Sequence, residues 1–133
     1  MRMSEVENII TLRKGVSDEL VSLANSDKYI DGFISDKQTC YSIIVNGKES
    51  GLIDLQRMNG YTKVSTIYVK PEFQQMGLAK FALDKLKDIP TFAFVDKNNY
   101  KSNKLFSSSG YELDGQREKD GTIYNLYIRN KVK

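Results

Sequence analysis

Histidine and tryptophan are absent from this chain of 133 residues, cysteine occurs once and proline twice. The missing histidine removes the commonest general base and the commonest zinc ligand. Ser–His and Cys–His nucleophile pairs are thereby excluded. A zinc site cannot be assembled from one cysteine alone, and no metal is expected. Cys40 has no internal partner for a disulfide, which agrees with a reducing compartment. No run of about 18 apolar residues occurs, so no membrane-spanning helix is expected. The first residues, Met1 to Glu7, lack the apolar core of a signal peptide, and a cytoplasmic location is the expectation. Repeats, linkers and low-complexity segments are also missing. One domain over residues 1–133, with one core, follows.

The charge that is present is unevenly placed. Residues 1–66 hold eight basic and nine acidic side chains, net −1, whereas residues 67–133 hold twelve and eight, net +4. The basic half is suited to a polyanionic ligand. Its lysines are scattered rather than clustered, so no nucleic-acid partner is expected.

Hydrophobic periodicity divides the chain into alternating elements. Val6 to Leu12 is β-branched and apolar and predicts a strand. Ser17 is a helix cap, followed by Leu20, Leu23 and Ala24 on one face. Residues 27–36, with Tyr29, Ile30, Phe33 and Ile34, predict a short second helix or a loop with one turn. Cys40 to Val45 reads as a strand, Asn46-Gly47 as a tight hairpin turn, and Ser50 to Gln56 as the returning strand. After a turn at Asn59-Gly60, Thr62 to Val69 is the third strand of a meander, which Pro71 stops. Leu78, Ala79, Ala82, Leu83 and Leu86 form an apolar stripe at helical spacing, closed by Pro90. Thr91 to Val95 is a strand, and the helix before it allows it to pair in parallel with the strand ending at Val69. Ser102, Leu105, Phe106 and Ser109 share a helix face that Gly110 ends. A hairpin from Tyr111 to Ile128, turning at Lys119-Asp120-Gly121, completes an α/β arrangement on a mixed sheet.

One stretch concentrates the chemistry. Ile67 to Leu83 reads as strand, proline stop, polar turn with one glycine, and helix. Backbone N–H groups at such a helix start suit phosphate. Gly77 lets backbone approach a pyrophosphate that a Cβ would block, and Ala79 keeps the next turn small. N–H groups from Gln75 to Lys80 are the expected donors, with Gln74 adding a neutral one. No Gly-Lys-Ser/Thr sequence is present to hold a triphosphate and magnesium.

Two motifs, one in this stretch and one downstream of it, resemble those of the GNAT superfamily of N-acetyltransferases. Val69-x-Pro71 followed by Gln74-Gln75-Met76-Gly77-Leu78-Ala79 is similar to the family's acetyl-CoA loop, Arg/Gln-x-x-Gly-x-Gly/Ala. Asn99, Ser102, Leu105-Phe106 and Gly110-Tyr111 are similar to its later motif, in which an asparagine precedes a helix ending in Gly-Phe or Gly-Tyr. The order of elements matches over nearly the whole chain. The resemblance implies a single-domain GNAT-like fold: a mostly antiparallel mixed sheet, a central parallel strand pair that splays apart, and flanking helices. It implies that pantetheine lies in the splay against Ile67, Tyr68 and Val69, and that Gln74, Gln75, Met76, Gly77, Leu78, Ala79, Lys80, Asn99, Ser102 and Phe106 complete the acetyl-CoA site. The Val69 N–H would polarise the thioester carbonyl as an oxyanion donor. A small-molecule or peptide amine would then attack directly, with no protein nucleophile.

Two positions depart from the family pattern. Phe106 stands where the family often has a tyrosine that protonates the leaving thiolate. Ser65 and Thr66 stand where it often has a carboxylate acting as a base through water. Asp54 or Asp96 is the remaining base candidate, with Glu49 a third. Tyr68 and Tyr100 are candidate hydroxyl donors. The sequence thus predicts an acetyl-CoA-dependent N-acyltransferase, a monomer or homodimer. The alternative is a catalytically weak or inactive acetyl-CoA-binding regulator of a protein partner.

Overall fold

The structure is a computed structural model and describes residues 8–27 and 33–132. Seven strands form one sheet in the order β1-β2-β3-β4-β5-β7-β6. The strands are β1 (Ile10–Lys14), β2 (Cys40–Val45), β3 (Lys48–Met58), β4 (Tyr61–Val69), β5 (Thr91–Asp96), β6 (Glu112–Lys119) and β7 (Thr122–Arg129). Among the described residues three α-helices flank it: α1 (Asp18–Ser26), α2 (Leu78–Asp84) and α3 (Tyr100–Ser107). Every neighbouring pair is antiparallel except β4–β5, which is parallel and limited to Thr62↔Thr91 and Lys63↔Phe92. The expected splay of a central parallel pair is therefore present.

Local chemistry accounts for the connections. Asn46-Gly47, Asn59-Gly60 and Asp120-Gly121 each place two consecutive residues at positive φ, between 51° and 84°. That twist matches the twist of the strands they join. Ser17 caps α1 by accepting from the Leu20 N–H at 3.1 Å. Asn99 caps α3 by accepting from the Ser102 N–H at 3.2 Å. At Gly110 φ is +85°, past the end of α3.

The sheet separates two apolar clusters. On one face α1 sets Leu20 and Ala24 against Ile34, Cys40, Leu52 and Tyr68. On the other, α2 and α3 bury Leu78, Ala82, Leu83 and Phe106 against Ile43, Ile53, Val64, Ala93 and Val95. Phe106 stacks on Tyr127 at 5.8 Å and meets Tyr111 edge-on at 5.0 Å.

Several boundaries differ from the sequence reading. The first strand is β1, two residues beyond the expected end at Leu12, and residues 6 and 7 lie outside the described residues. Of the expected second helix, residues 28–32 also lie outside them, and a single 3-10 turn, Lys37–Thr39, precedes β2. The central helix stops at Asp84 rather than running to Pro90. Leu86, Lys87 and Ile89 instead donate to carbonyls three residues back. Arg129, the last residue of β7, and Asn130 just after it take the carbonyls of Leu83, Lys87 and Ile89. Leu86 still packs on the core, which explains why it belonged to the apolar stripe. Among the described residues no helix is long and apolar enough to cross a membrane, and no group of three metal-ligating side chains occurs.

Candidate active site

A bulge opens the sheet. Asp54 faces Thr66 while Leu55 faces Val64, so Ser65 is the extra residue on β4. Beyond it β4 has no ladder to β5, and a cavity of about 1020 Å³ occupies the gap. Its walls include Val64 to Val69 of β4 and Ala93, Phe94 and Val95 of β5. The Ser65 hydroxyl lies in this wall, buried and without a hydrogen-bond partner.

The register fixes which backbone groups face the gap. Lys70 N–H donates to Ser50 O at 2.9 Å, so Ser50 and Lys70 form a hydrogen-bonded pair. Antiparallel ladders alternate, so the next pair, Gly51↔Val69, is not hydrogen-bonded. The Val69 N–H and C=O consequently point away from β3, into the splay. Ile67, two residues back, has the same orientation.

The turn after β4 adds donors. Gln75 and Gly77 both have positive φ, 69° and 74°. The first helical bond of α2 is Phe81 N–H to Gly77 O at 2.9 Å, which leaves the N–H groups of Leu78, Ala79 and Lys80 outside the helix ladder. A Cβ built on Gly77 meets no atom within 4 Å, so it would project into open space. Gln74 Nε2 donates to Val69 O at 3.2 Å, and Lys101 Nζ donates to Gln74 Oε1 at 3.3 Å. This side chain ties the end of β4 to α3 instead of pointing free.

Most of the expected cofactor residues come together. Ile67, Tyr68 and Val69 line the cavity from β4. Gln74, Gln75, Gly77, Leu78, Ala79 and Lys80 line it from the turn and α2. Asn99, Ser102 and Phe106 line it from α3, and Met76 does not. The base candidates lie elsewhere. Asp54 is 2% exposed on the α1 face, where the Thr39 hydroxyl donates to it in a short contact. Asp96 ends β5, its carboxylate accepting from Asn98 N–H at 2.9 Å, and it does not line the cavity. Glu49 is engaged by Ser17 and Ser42. Burial and the neighbouring Asp54 push the Cys40 thiol up to about 12, so it supplies no thiolate.

The cavity has two electrical ends. Lys80, Lys101 and Lys104 line it on the α2–α3 side. Asp27, just after α1, is the single carboxylate among its described lining residues. Tyr68 is the single tyrosine among them, whereas Tyr100 is 82% exposed and outside. Burial, then Asp27 and Glu72, raise the Tyr68 pKa and keep its hydroxyl protonated.

Sequence reasoning missed four contributors. Lys101 and Lys104 carry no motif and are placed only by α3. Asn103 Nδ2 donates to Asp96 O at 3.0 Å and Asn99 O at 2.8 Å, while its Oδ1 accepts from Asn125 at 2.8 Å and the Tyr127 hydroxyl at 2.7 Å. That cluster fixes the loop before α3 to β7. Gly51, a glycine inside a strand, was a visible signal of close backbone approach.

A sheet split at a parallel pair, with backbone donors from β4 and a glycine turn facing one cavity, defines a class of acyl-transfer proteins. The acetyltransferase (GNAT) family profile matches residues 6–111, and the chain belongs to that family. An N-acetyltransferase of Staphylococcus aureus Mu50 superposes with TM-score 0.69 at 14% identity, covering 89% of this chain and 99% of its own. A GNAT family acetyltransferase of Elizabethkingia anophelis with acetyl-CoA bound gives 0.63 at 17%, covering 90% and 97%. A Bacillus subtilis acetyltransferase in complex with CoA gives 0.64 at 17%, covering 95% and 100%. At such identities the likeness is one of fold. No curated protein matches the sequence.

Proposed function

We propose that the chain transfers the acetyl group of acetyl-CoA to a primary amine by direct attack in a ternary complex. The observation that carries this reading is the Val69 N–H directed into the splay, on the same cavity wall as the turn at Gly77. Pantetheine lies along Ile67 and Val69, and the phosphates lie toward Gly77–Lys80, Lys101 and Lys104. The ammonium first loses a proton to water, the neutral amine nitrogen attacks the thioester carbonyl carbon, the carbon–sulfur bond breaks, and the proton the nitrogen then sheds passes through water to the thiolate, which leaves as CoA thiol. Val69 N–H stabilises the developing oxyanion. Asp27 draws the cationic acceptor to its end of the cavity. Positioning supplies most of the rate, and without a dedicated acid and base, turnover falls short by up to about 10²–10⁴-fold.

A second reading, a regulator that binds acetyl-CoA with little turnover, is favoured by Phe106 packed between Tyr111 and Tyr127 and by the placement of Asp54 and Asp96 outside the cavity. Thiol release, measured with acetyl-CoA and a panel of diamines, amino-acid amides, aminoglycosides and peptides, separates the two. Amine-dependent release above hydrolysis supports transfer. Acetyl-CoA binding with no release from any amine supports the regulator. Native mass spectrometry of freshly purified protein tests the donor, with a bound CoA species the expected result.

A further inference from the structure

We propose that Gly51, on the strand next to the cavity, is the positioning residue for the Val69 oxyanion donor. The proposal rests on the acetyl-transfer reading above and concerns a residue outside the cavity wall. Gly51 is buried within β3, and its φ is not left-handed, so backbone freedom does not account for it. Space does. A Cβ built there falls 2.4 Å from the Tyr68 carbonyl oxygen, 3.2 Å from Val69 Cα and 3.3 Å from Ile43 Cδ1. Among the other described glycines only Gly110 has any atom within 4 Å, a flexible arginine methylene at 3.6 Å.

The atom in the way belongs to the peptide that matters. Tyr68 C=O and Val69 N–H are the two ends of one planar unit. Leu52↔Tyr68 is the hydrogen-bonded pair next to Gly51↔Val69, so that carbonyl points to β3 and the N–H points oppositely, into the splay. Pushing the carbonyl turns the N–H. To accept a methyl at position 51, the carbonyl must retreat from 2.4 Å to beyond 3.0 Å. A change of that size spans the useful range of an N–H···O bond, about 2.7–3.2 Å. Neighbouring irregularities leave few other ways to yield. β3 is bulged against β2 at Ser50, and β4 is bulged against β3 at Ser65. Gly51 therefore lets β3 press directly on the peptide plane and hold its N–H at a fixed angle before substrate arrives.

The test compares Gly51→Ala with Val45→Ala, a core truncation on β2 remote from β4. Tm, CoA affinity by calorimetry, and kcat and KM for acetyl-CoA are measured for both. The expected result for Gly51→Ala is a fall in kcat of about tenfold or more, up to the 10²–10³ of losing one oxyanion donor outright, with CoA affinity within about threefold of the unaltered chain. Val45→Ala, at a comparable loss of Tm, keeps its kcat within about twofold. Gly51→Ala with unchanged kcat, or with kcat and CoA affinity falling together, overturns the proposal. If Gly51→Ala does not fold, nitrogen-15 relaxation on the unaltered chain decides. The Val69 amide must be as rigid as the interior of β3 both with and without CoA, and an amide that stiffens only on binding overturns the proposal. An unaltered chain that binds no acetyl-CoA, or releases no thiol with any amine, refutes the parent reading and this one with it. An active unaltered chain with an equally active Gly51→Ala variant refutes this one alone.

Discussion

Glu49 offers a perturbation whose size and pH dependence both follow from its contacts. Its carboxylate accepts from Ser17 N–H at 3.0 Å, from the Ser17 hydroxyl in a short contact, and from the Ser42 hydroxyl at 2.8 Å. It thereby fastens the start of α1 to the beginning of β3. Each hydrogen bond to a charged group contributes about 1.5–3 kcal/mol at most, but the sum is smaller here. Ser42 has an alternative acceptor, Gly15 O at 2.7 Å, and Ser17 can turn to water. Glu49→Ala should therefore cost about 2 kcal/mol near neutral pH, or about 6–10 °C in Tm for a chain of this length. Burial pushes the Glu49 carboxyl up, yet the Ser17 and Ser42 hydrogen bonds and Lys70 outweigh it and hold its pKa below the ordinary 4.5. A depressed carboxylate contributes fully above its unfolded pKa, and the contribution is lost as pH falls through the folded one. The Tm gap between the unaltered chain and Glu49→Ala should stay constant down to about pH 5.5 and close progressively below about 4.5. Thermal unfolding by circular dichroism across that range measures it. A gap under about 2 °C near neutral pH would show that the carboxylate is not a clamp. A gap undiminished in acid would mean that the side-chain stem, not the charge, holds α1.

Two further substitutions address the cavity and a third the cluster that holds α3 to β7. Gly77→Ala places a methyl in open space at φ +74°, so it should cost only about 1–2 kcal/mol of stability yet weaken CoA by about tenfold or more if phosphate lies against that backbone; calorimetry reporting unchanged affinity refutes that placement. Phe106→Tyr puts a hydroxyl on a 4%-exposed ring that borders the cavity, and kcat should rise or its pH profile should change. No change in either means that position 106 does not face sulfur. Asn103→Leu removes the acceptor of both Asn125 and the Tyr127 hydroxyl, and chemical denaturation should show a loss of about 3 kcal/mol. A loss within experimental error would mean that water replaces the amide freely.

What was legible in the sequence was what repeats locally. Asn-Gly and Asp-Gly turns, the cap at Ser17, and the switch from period 2 to helical period gave the element order. Boundaries failed where distant residues decide them. The chain turns after Asp84 instead of continuing α2, with Arg129 at the end of β7 and Asn130 after it taking the carbonyls of Leu83, Lys87 and Ile89, and no feature of residues 85–89 announces that. The candidate site was legible in the same uneven way. Gly77 and its neighbours announced themselves through turn chemistry. The clasp from Val69 O through Gln74 to Lys101 joins residues brought together only by the crossover between β4 and α3. Asp54 was a reasonable carboxylate on a strand, but alternation sends it to the α1 face, and period-2 counting fails beyond the bulge at Ser65.

That bulge explains why so little of the site is written in side chains. A sheet that stops pairing in mid-strand exposes backbone donors, and any residue supplies an N–H. Selection on such a site acts less on which side chain is present than on where the backbone lies. Small residues and register shifts then carry the information: a glycine at 51 where β3 meets the Tyr68–Val69 peptide, an extra residue at 65 where β4 leaves β5, a left-handed residue at 77 before α2. The acceptor end is different. In the proposed reading, recognition there needs charge and shape from side chains, and Asp27 and Tyr68 are the carboxylate and the phenol among the described lining residues. Substitutions in the backbone-built half should therefore change the rate for every amine alike, whereas substitutions at Asp27 should change the ranking of amines. A panel of charged and neutral acceptors assayed on both kinds of variant distinguishes the two halves directly.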